Sequence, residues 1–335
     1  MLLRKLLGAL FLCSILVFGA SAAFAAPFLP PEVQELEDQD FESLLNPDGS
    51  IKDVLANPII EVGDLFAGVI KIQKTSNVTG PGPNPEIDLQ TSDDTFTAIF
   101  LIKTATVDSS GDVNTPDNSF DELTFTSATA ADWSAVFGAG GTIDLTPAGF
   151  DVTDLDGLGT GVATGTMAMM FDGVAYADAE EEFDPGTIDN VADSAQTFVD
   201  GARLLYEFGL TGAAGEFWET AGIDAAISTL AMTSPRPDNI ISLNITQQWA
   251  GPDLDPHNFL GDAGDLNFTD AVQLQGDGSF QALPQIGNPP VPNSPWGLGT
   301  DTNFYIKPDI IPEPGTMLLL GFGLISLAGV TRRKS

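Results

Sequence analysis

Histidine, cysteine and positive charge are scarce in this sequence of 335 residues. It contains one histidine, His257, and one cysteine, Cys13, and its 12 lysines and arginines face 47 aspartates and glutamates, a formal net charge of −35. Acyl-transfer triads need a base, and no G-x-S-x-G turn accompanies the single histidine, so the pattern argues against a serine hydrolase. We expect His257 to be a solvated loop residue. A field this negative repels phosphate backbones, so we expect no nucleic acid partner.

Cys13 lies inside the first hydrophobic run. If that run is removed, the mature chain has no thiol, and therefore no disulfide, no thiolate metal site and no cysteine nucleophile. The fold then depends on the burial of apolar side chains alone. A hydrophobic share of 43% in a chain of this length is sufficient for one large domain or two small ones.

The N-terminal segment has the three parts of an export signal. A basic start precedes an uncharged apolar run over residues 6–18, and Ala23 and Ala25 occupy the A-x-A positions of a cleavage site. The pattern predicts a cleaved signal peptide with a helical apolar run at residues 1–25. An uncleaved anchor is the alternative, and lipoprotein processing at Cys13 is disfavoured because the residues before it are not small.

The C-terminal segment combines an apolar stretch with positive charge. Residues 316–330 carry no charge and would rise roughly 22 Å as a helix, which is short for a hydrocarbon core of about 30 Å. Arg332, Arg333 and Lys334 follow and can snorkel toward the lipid headgroups. Because positive residues after an apolar segment stay in the cytoplasm, we expect a stop-transfer transmembrane helix over residues 315–331, with the body outside.

Pro312, Glu313 and Pro314 precede this stretch. The two prolines donate no backbone hydrogen bonds and disfavour helix at the residues before them, so the helix should begin near Gly315. We therefore expect an extended, accessible segment just outside the lipid, with one acidic side chain. Such a segment suits a protease that works at the membrane surface.

The ordered combination of this triplet with Gly315, a Leu/Gly-rich span and the basic pair 332–333 resembles the PEP-CTERM sorting signal of Gram-negative bacteria. The resemblance is confined to residues 312–335. It implies recognition by the membrane-embedded protease exosortase, which cuts at or near the Pro-Glu-Pro triplet and releases or re-anchors the exported body. The implied partners are exosortase, the export machinery and, through the tail, the inner membrane. A plain anchor behind a proline kink is the alternative.

Between the two ends, β-branched and turn residues dominate. Residues 30–45 and 187–202 have helical spacing, and the rest favours short strands. Strands are predicted at Phe66–Gln73, Thr95–Val107, Leu123–Ser127, Gly161–Phe171, Ile240–Trp249 and Phe304–Ile306. The pattern predicts a mainly β body at residues 26–283, an antiparallel, jelly-roll-like β-sandwich with one or two peripheral helices. Frequent prolines predict a stiff spacer over residues 284–311, interrupted by the last of these strands.

Two Asp-rich loops carry the oxygen donors that calcium binds. One contains Asp108, Asp112 and Asp117, and the other spans residues 151–157. Neither fits an EF-hand. Asp-rich turns are frequent in so acidic a chain, so a solvated loop is the alternative to a calcium site.

The tryptophans allow a sugar-stacking platform. Trp249, at the end of an apolar strand, is instead expected in the core. The four are Trp133, Trp218, Trp249 and Trp296. A glycosidase needs only two suitably spaced carboxylates, and spacing along the sequence cannot identify them.

We therefore expect a non-enzymatic surface or matrix protein that is exported, held briefly by its tail, processed and delivered to the cell surface or exterior. The resemblance implies an association with exopolysaccharide and the biofilm matrix. The alternatives are a carbohydrate-binding or adhesive module, stabilised by calcium, and a secreted hydrolase. No cofactor other than calcium is expected.

Overall fold

The computed structural model describes residues 34–52, 59–77, 87–88, 95–108, 121–138, 162–173, 203–223, 238–249, 253–257, 271–282 and 298–308. Within these residues the chain forms eleven β-strands and one short α-helix. Every pairing between these strands is antiparallel. The predicted mainly β class and the antiparallel sheet are confirmed.

The strands are distributed over the whole described chain. They are β1 (Gln34–Leu45), β2 (Leu65–Asn77), β3 (Ile87–Asp88), β4 (Thr95–Asp108), β5 (Asp121–Ser127), β6 (Thr166–Gly173), β7 (Arg203–Gly209), β8 (Phe217–Ile223), β9 (Asp238–Gln248), β10 (Leu274–Ala282) and β11 (Leu298–Ile306). The helix, α1 (Ala130–Phe137), follows β5. Each of the six strands predicted from the sequence overlaps one of these strands.

Eight of the strands form a closed ring. In the order β2–β1–β11–β10–β9–β7–β6–β4 each strand is hydrogen-bonded to the next, and β4 pairs with β2 to close the ring. β5 and β8 form a second bridge between β4 and β9, and β3 adds two residues beside β2. The described strands therefore form one hydrogen-bonded sheet, whereas the predicted sandwich has two separate sheets.

The pairing of β4 and β9 explains why the strands do not divide into two separate sheets. β4 pairs through residues 95–100 with β6 and through residues 102–108 with β5. β9 divides its edge in the same way, with residues 238–242 on β8 and residues 244–248 on β7. The strand pairs β6–β7 and β5–β8 therefore both connect β4 to β9, at different positions along these two strands. The backbone hydrogen bonding between strands is continuous through both connections.

Many of the buried apolar side chains of the ring, together with residues of β5 and β8, form one core cluster. Its aromatic rings pack tilted or edge to face, with centroids 5.3 Å apart for Phe66 and Phe125 and 5.4 Å apart for Phe100 and Trp218. A cavity of about 20 Å³ remains, with room for roughly one water molecule, and its apolar walls are expected to keep it dry. The lining includes Ile70, Ile72, Met170, Phe208, Leu274 and Phe304.

β11 occupies a central place, between β1 and β10. All nine of its residues, 298–306, pair with β10, and on the other edge Leu298 lies opposite Glu42 and Ile306 opposite Gln34. The first and last strands of the described chain are therefore neighbours. Because they run antiparallel, residue 34 and residue 306 lie at the same end of the ring.

The predicted helix at residues 30–45 is wrong, because residues 34–45 form β1. Leu36, Leu44 and Leu45 are buried, as an apolar face of a helix would be, but they belong to a strand paired with both β2 and β11. Pairing on two sides outweighs the weak helical preference of an acidic segment. The predicted helix at residues 187–202 lies outside the described residues.

The sequence interpretation missed α1, although its start signal is legible. The Thr129 hydroxyl accepts a hydrogen bond from the Asp132 N–H at 3.2 Å, and the Asp132 carboxylate accepts one from the Thr129 N–H at 2.8 Å. This is a capping box with aspartate in place of the usual glutamate. Trp133, Val136 and Phe137 are the buried side chains of the helix.

The predicted spacer at residues 284–311 overlaps folded structure. β11 begins at Leu298, six residues before the strand that the sequence predicted at residues 304–306, and Lys307 and Pro308 continue in contact with the body. The Gly-Thr-Asp-Thr sequence at residues 299–302 lacks the apolar pattern of a central strand, and pairing with two neighbours compensates for it. Residues 284–297 and 309–311 lie outside the described residues.

A close backbone approach between Gly209, at the end of β7, and Gly165, just before β6, yields a stability prediction. A Cβ atom on Gly209 would collide with the backbone carbonyl of Gly165, which already accepts a hydrogen bond from the Leu210 N–H at 3.0 Å. We expect Gly209→Ala to lower the free energy of unfolding by about 3 kcal/mol, because the strands must separate. Gly212, with φ of +90° and open space around it, is the control.

Gly212→Ala should cost only the strain of a left-handed alanine, about 1 kcal/mol. Urea unfolding of both variants measures the two values. Equal losses of unfolding free energy in the two variants would show that the backbone approach at Gly209 is not tight.

Candidate functional site

The end of β11 leads directly to the C-terminal segment, so the residues that hold it define the candidate site. Thr302, Phe304 and Ile306 of this strand are buried. Thr302 accepts a hydrogen bond at 3.3 Å from the side-chain amide of Asn239, whose carbonyl oxygen accepts one at 3.0 Å from the Trp218 indole N–H. These three side chains link β11 to β9 and β8 inside the ring.

Beyond the strand, the chain is held by a short segment that we call the exit clamp, residues 253–257. The Asp255 N–H donates a hydrogen bond of 2.7 Å to the Lys307 carbonyl, and Leu254 forms a β-bridge with Pro308. Lys307 Nζ also lies 3.0 Å from Asp255 Oδ2. Both side chains are about 40% exposed, so this ion pair contributes little to stability. The backbone hydrogen bond and the β-bridge are therefore the main contacts of residues 307 and 308 with the exit clamp.

The exit clamp is itself tied to the ring. The Gln273 amide donates to the Leu254 carbonyl at 3.0 Å, and its oxygen accepts from the Ile245 N–H of β9 at 2.9 Å. His257 and Val272 exchange two backbone hydrogen bonds of 2.8 and 3.0 Å. The last described residues therefore leave the body from a fixed position.

His257 is buried, so the expectation of a solvated loop residue is wrong. The residue is 8% exposed, and Nδ1 lies 3.4 Å from the Asp255 carbonyl oxygen. Nε2 has no hydrogen-bond partner among the described residues. Burial lowers the pKa of His257 below its usual 6.5, and the nearby positive charge of Lys307 adds to that effect.

The sequence-predicted site residues lie largely beyond the described ranges. These are the sorting residues Pro312, Glu313, Pro314 and Gly315, the basic residues Arg332, Arg333 and Lys334, and the signal-cleavage residues Ala23 and Ala25. Of the calcium candidates, Asp108 is the last residue of β4, and Asp112 and Asp117 are outside the description. The predicted helix at residues 315–331 is outside it too. No helix in the described portion has the length and apolarity to cross a membrane.

The described tryptophans exclude a sugar-stacking platform made of all four, because two of them are buried. Trp133 and Trp218 are buried at 0% and 4% exposure. Trp249 is half-buried, and its indole N–H donates a hydrogen bond of 3.0 Å to Glu207 Oε1. Trp296 lies outside the described residues.

Glu207, which the sequence analysis did not single out, is a fully buried carboxylate. Besides the Trp249 indole, it accepts hydrogen bonds from the Ala163 N–H at 2.9 Å and the Thr166 hydroxyl at 2.7 Å. Three donors satisfy this charge without any ligand, which makes Glu207 a structural residue. Nothing in the local sequence, RLLYEFG, distinguishes it from a surface glutamate.

Lys52 and Asp64 form a buried ion pair elsewhere in the body. Their side chains are 1% and 2% exposed and are hydrogen-bonded to each other, and the Glu61 N–H donates to the same Asp64 oxygen at 2.7 Å. Lys52 Nζ also lies 3.2 Å from Glu61 Oε2. In the described residues we find no group of three His, Cys, Asp or Glu side chains arranged to hold a metal ion.

The burial of His257 predicts a pH dependence. Above pH 6.5 the imidazole is neutral in both the folded and the unfolded chain. As the pH falls through 6.5, the unfolded chain takes up the proton first, so stability is lost toward the lower folded pKa, by at most about 1.4 kcal/mol per pH unit. The variant His257→Asn places a side-chain amide near the position of Nδ1, and this amide does not take up a proton in this pH range.

Melting temperatures of the wild-type chain and His257→Asn between pH 7.5 and 5 test this. Carboxylates contribute equally to both proteins, so their difference isolates the histidine. Below pH 6.5, the melting temperature of the wild-type chain should fall relative to that of the variant. Parallel curves would mean that burial does not perturb His257.

The comparison with known proteins identifies the segment that follows the exit clamp. No curated protein and no solved structure matches the chain. Residues 311–334 match the family model described as the PEP-CTERM protein-sorting motif. The match begins three residues after Pro308, the last residue held by the clamp. The chain therefore carries a PEP-CTERM sorting motif at its C-terminal end, as the resemblance of residues 312–335 predicted.

Proposed function

We propose that the chain is an exported, non-enzymatic surface or matrix protein whose tail serves as a temporary membrane tether. The sorting motif at residues 311–334 carries this proposal, because it makes the chain an exported protein recognised by exosortase. In the finer proposal, the helix at residues 315–331 spans the inner membrane, the body lies outside and the basic residues remain in the cytoplasm.

The position of the motif supports its role as a sorting signal that proteolysis removes. β11 ends at Ile306 and the exit clamp holds the chain as far as Pro308, whereas the matched motif begins at residue 311. A cut at or near Pro312–Pro314 therefore removes no described strand and no contact of the exit clamp. The body should keep its fold after it loses the tail.

The composition favours a matrix role over a catalytic one. Buried carboxylates of the body, such as Glu207 and Asp64, are engaged in internal hydrogen bonds. The strongly acidic surface suits contact with cations and neutral polysaccharide rather than with polyanions. We propose exopolysaccharide as the material with which the released body associates, by the resemblance of its tail.

Substitution of the sorting prolines tests the tether. In a host that contains exosortase, we expect Pro312→Ala/Pro314→Ala to remain membrane-bound at full length, while the wild-type body loses its tail and leaves the membrane fraction. Pro292→Ala, which lies before the motif, is the matched control. Intact mass spectrometry of each product reports both termini. Release of a normally shortened double variant would contradict the proposal.

Fractionation of the extracellular material tests the matrix role. We expect the processed protein to sediment with exopolysaccharide and to become soluble when the polysaccharide is digested enzymatically. A protein that stays fully soluble in both samples would contradict a matrix role. Binding of defined glycans by the purified protein would instead favour a carbohydrate-binding module.

A further inference from the structure

The two ends of the described chain emerge at one end of the ring. β1 starts at Gln34 opposite Ile306 of β11, and the exit clamp holds Lys307 and Pro308 beside them. We call this end, formed by Gln34, Ile306 and the exit clamp, the exit pole. The opposite end, where Leu45 pairs with Leu65 and the chain turns through residues 61–64, is the far pole.

The two poles are well separated. β1 runs from one to the other through 12 residues, a strand length of about 36 Å at roughly 3.3 Å per residue. Because strands in a closed ring are tilted by roughly 35–45°, the separation along the ring axis is about 25–30 Å. β2 spans the same distance in the opposite direction, with its residue Leu65 at the far pole and Asn77 at the exit pole. Measurements at the two poles therefore report clearly different distances from any surface that one pole contacts.

The link from the exit pole to the predicted membrane helix is short. Seven residue steps separate Pro308 from Gly315, where that helix is predicted to begin, so even a fully extended chain spans only about 25 Å. The body cannot lengthen this link by fraying β11, because that strand is paired on both edges. The clamp's backbone hydrogen bond, Asp255 N–H to the Lys307 carbonyl, opposes fraying beyond it.

We infer that, while the tail is attached to the membrane, the exit pole faces the lipid surface within about 25 Å and the far pole points away from it. This inference rests on the proposed function, since it needs the tail to be a membrane tether. The partner surface is the lipid headgroup layer, and a processing enzyme embedded there meets the body from the exit pole. The short link biases the body toward this orientation, because only the exit pole is anchored, and no affinity of the acidic body for lipid is needed.

The same geometry accommodates the N-terminal connection. Before the predicted cut after Ala25, residues 26–33 link the signal segment to Gln34, a reach of roughly 30 Å when extended. Both covalent connections to the export site then leave from the exit pole. The far pole carries neither.

Single cysteines test the orientation, because the only natural cysteine is Cys13 in the signal segment. In a Cys13→Ala background, Asp253→Cys places a thiol in the exit clamp and Val62→Cys places one at the far pole, and both positions are exposed. The full-length chain is produced in a host without exosortase, labelled with a fluorophore and placed in phosphatidylcholine vesicles with spin-labelled headgroups. Melting temperatures equal to that of the parent chain show that both variants are folded.

We expect quenching at position 253 to be several-fold stronger than at position 62. Equal quenching at the two positions, or the reverse order, in protein that is bound to vesicles would overturn the inferred orientation. Protein that does not float with the vesicles would overturn the membrane tether of the proposed function, and the orientation with it. Flotation and quenching thus distinguish the two failures.

An insertion tests whether the short link is the cause. A flexible Gly/Ser segment of about 12 residues after Asp309 adds roughly 20 Å of reach. With this insertion, we expect the difference in quenching between positions 253 and 62 to be largely lost. A difference that persists unchanged would refute the short link as the origin of the orientation.

Discussion

The insertion of β11 between β1 and β10 is the contact on which the rest of the structure depends. Without residues 298–306, β1 and β10 lose their shared neighbour and the ring of eight strands opens. The core cluster contains residues from both sides of this seam, including Leu36, Leu274 and Phe304. A chain with a single cysteine has no internal disulfide, so its fold depends on such burial, and closure of the ring and formation of the core are one event.

Closure by the last strand connects the fold to export. The first described strand pairs with a partner more than 250 residues later in the chain, a long-range contact that forms only when the whole body is available. The sorting motif follows within three residues of Pro308. The strand that closes the ring and the sorting motif are thus adjacent along the chain, so the segment that exosortase recognises follows directly after the closing strand.

The sequence predicts the sorting motif better than the fold, for a physical reason. A sorting motif is a linear signal, so its residues at 312–315 and 332–334 are legible without any tertiary contact. β2, β4 and β9 were predictable because apolar and β-branched residues mark them, whereas β10 and most of β11 are rich in Gly, Asp and Thr and owe their structure to neighbours. The exit clamp and the burial of His257 arise from contacts between distant segments, which spacing along the chain does not report. The capping box before α1 was a legible signal that the interpretation missed.

Thermal unfolding of two shortened chains, one ending at Pro308 and the other at residue 297, tests the central role of β11 most directly. The account predicts that the chain ending at Pro308 unfolds cooperatively at a temperature close to that of the full-length protein, since no described contact is lost. It predicts that the chain ending at residue 297 shows no cooperative transition, because the ring cannot close. A cooperative transition at an unchanged temperature in the shorter chain would contradict the account.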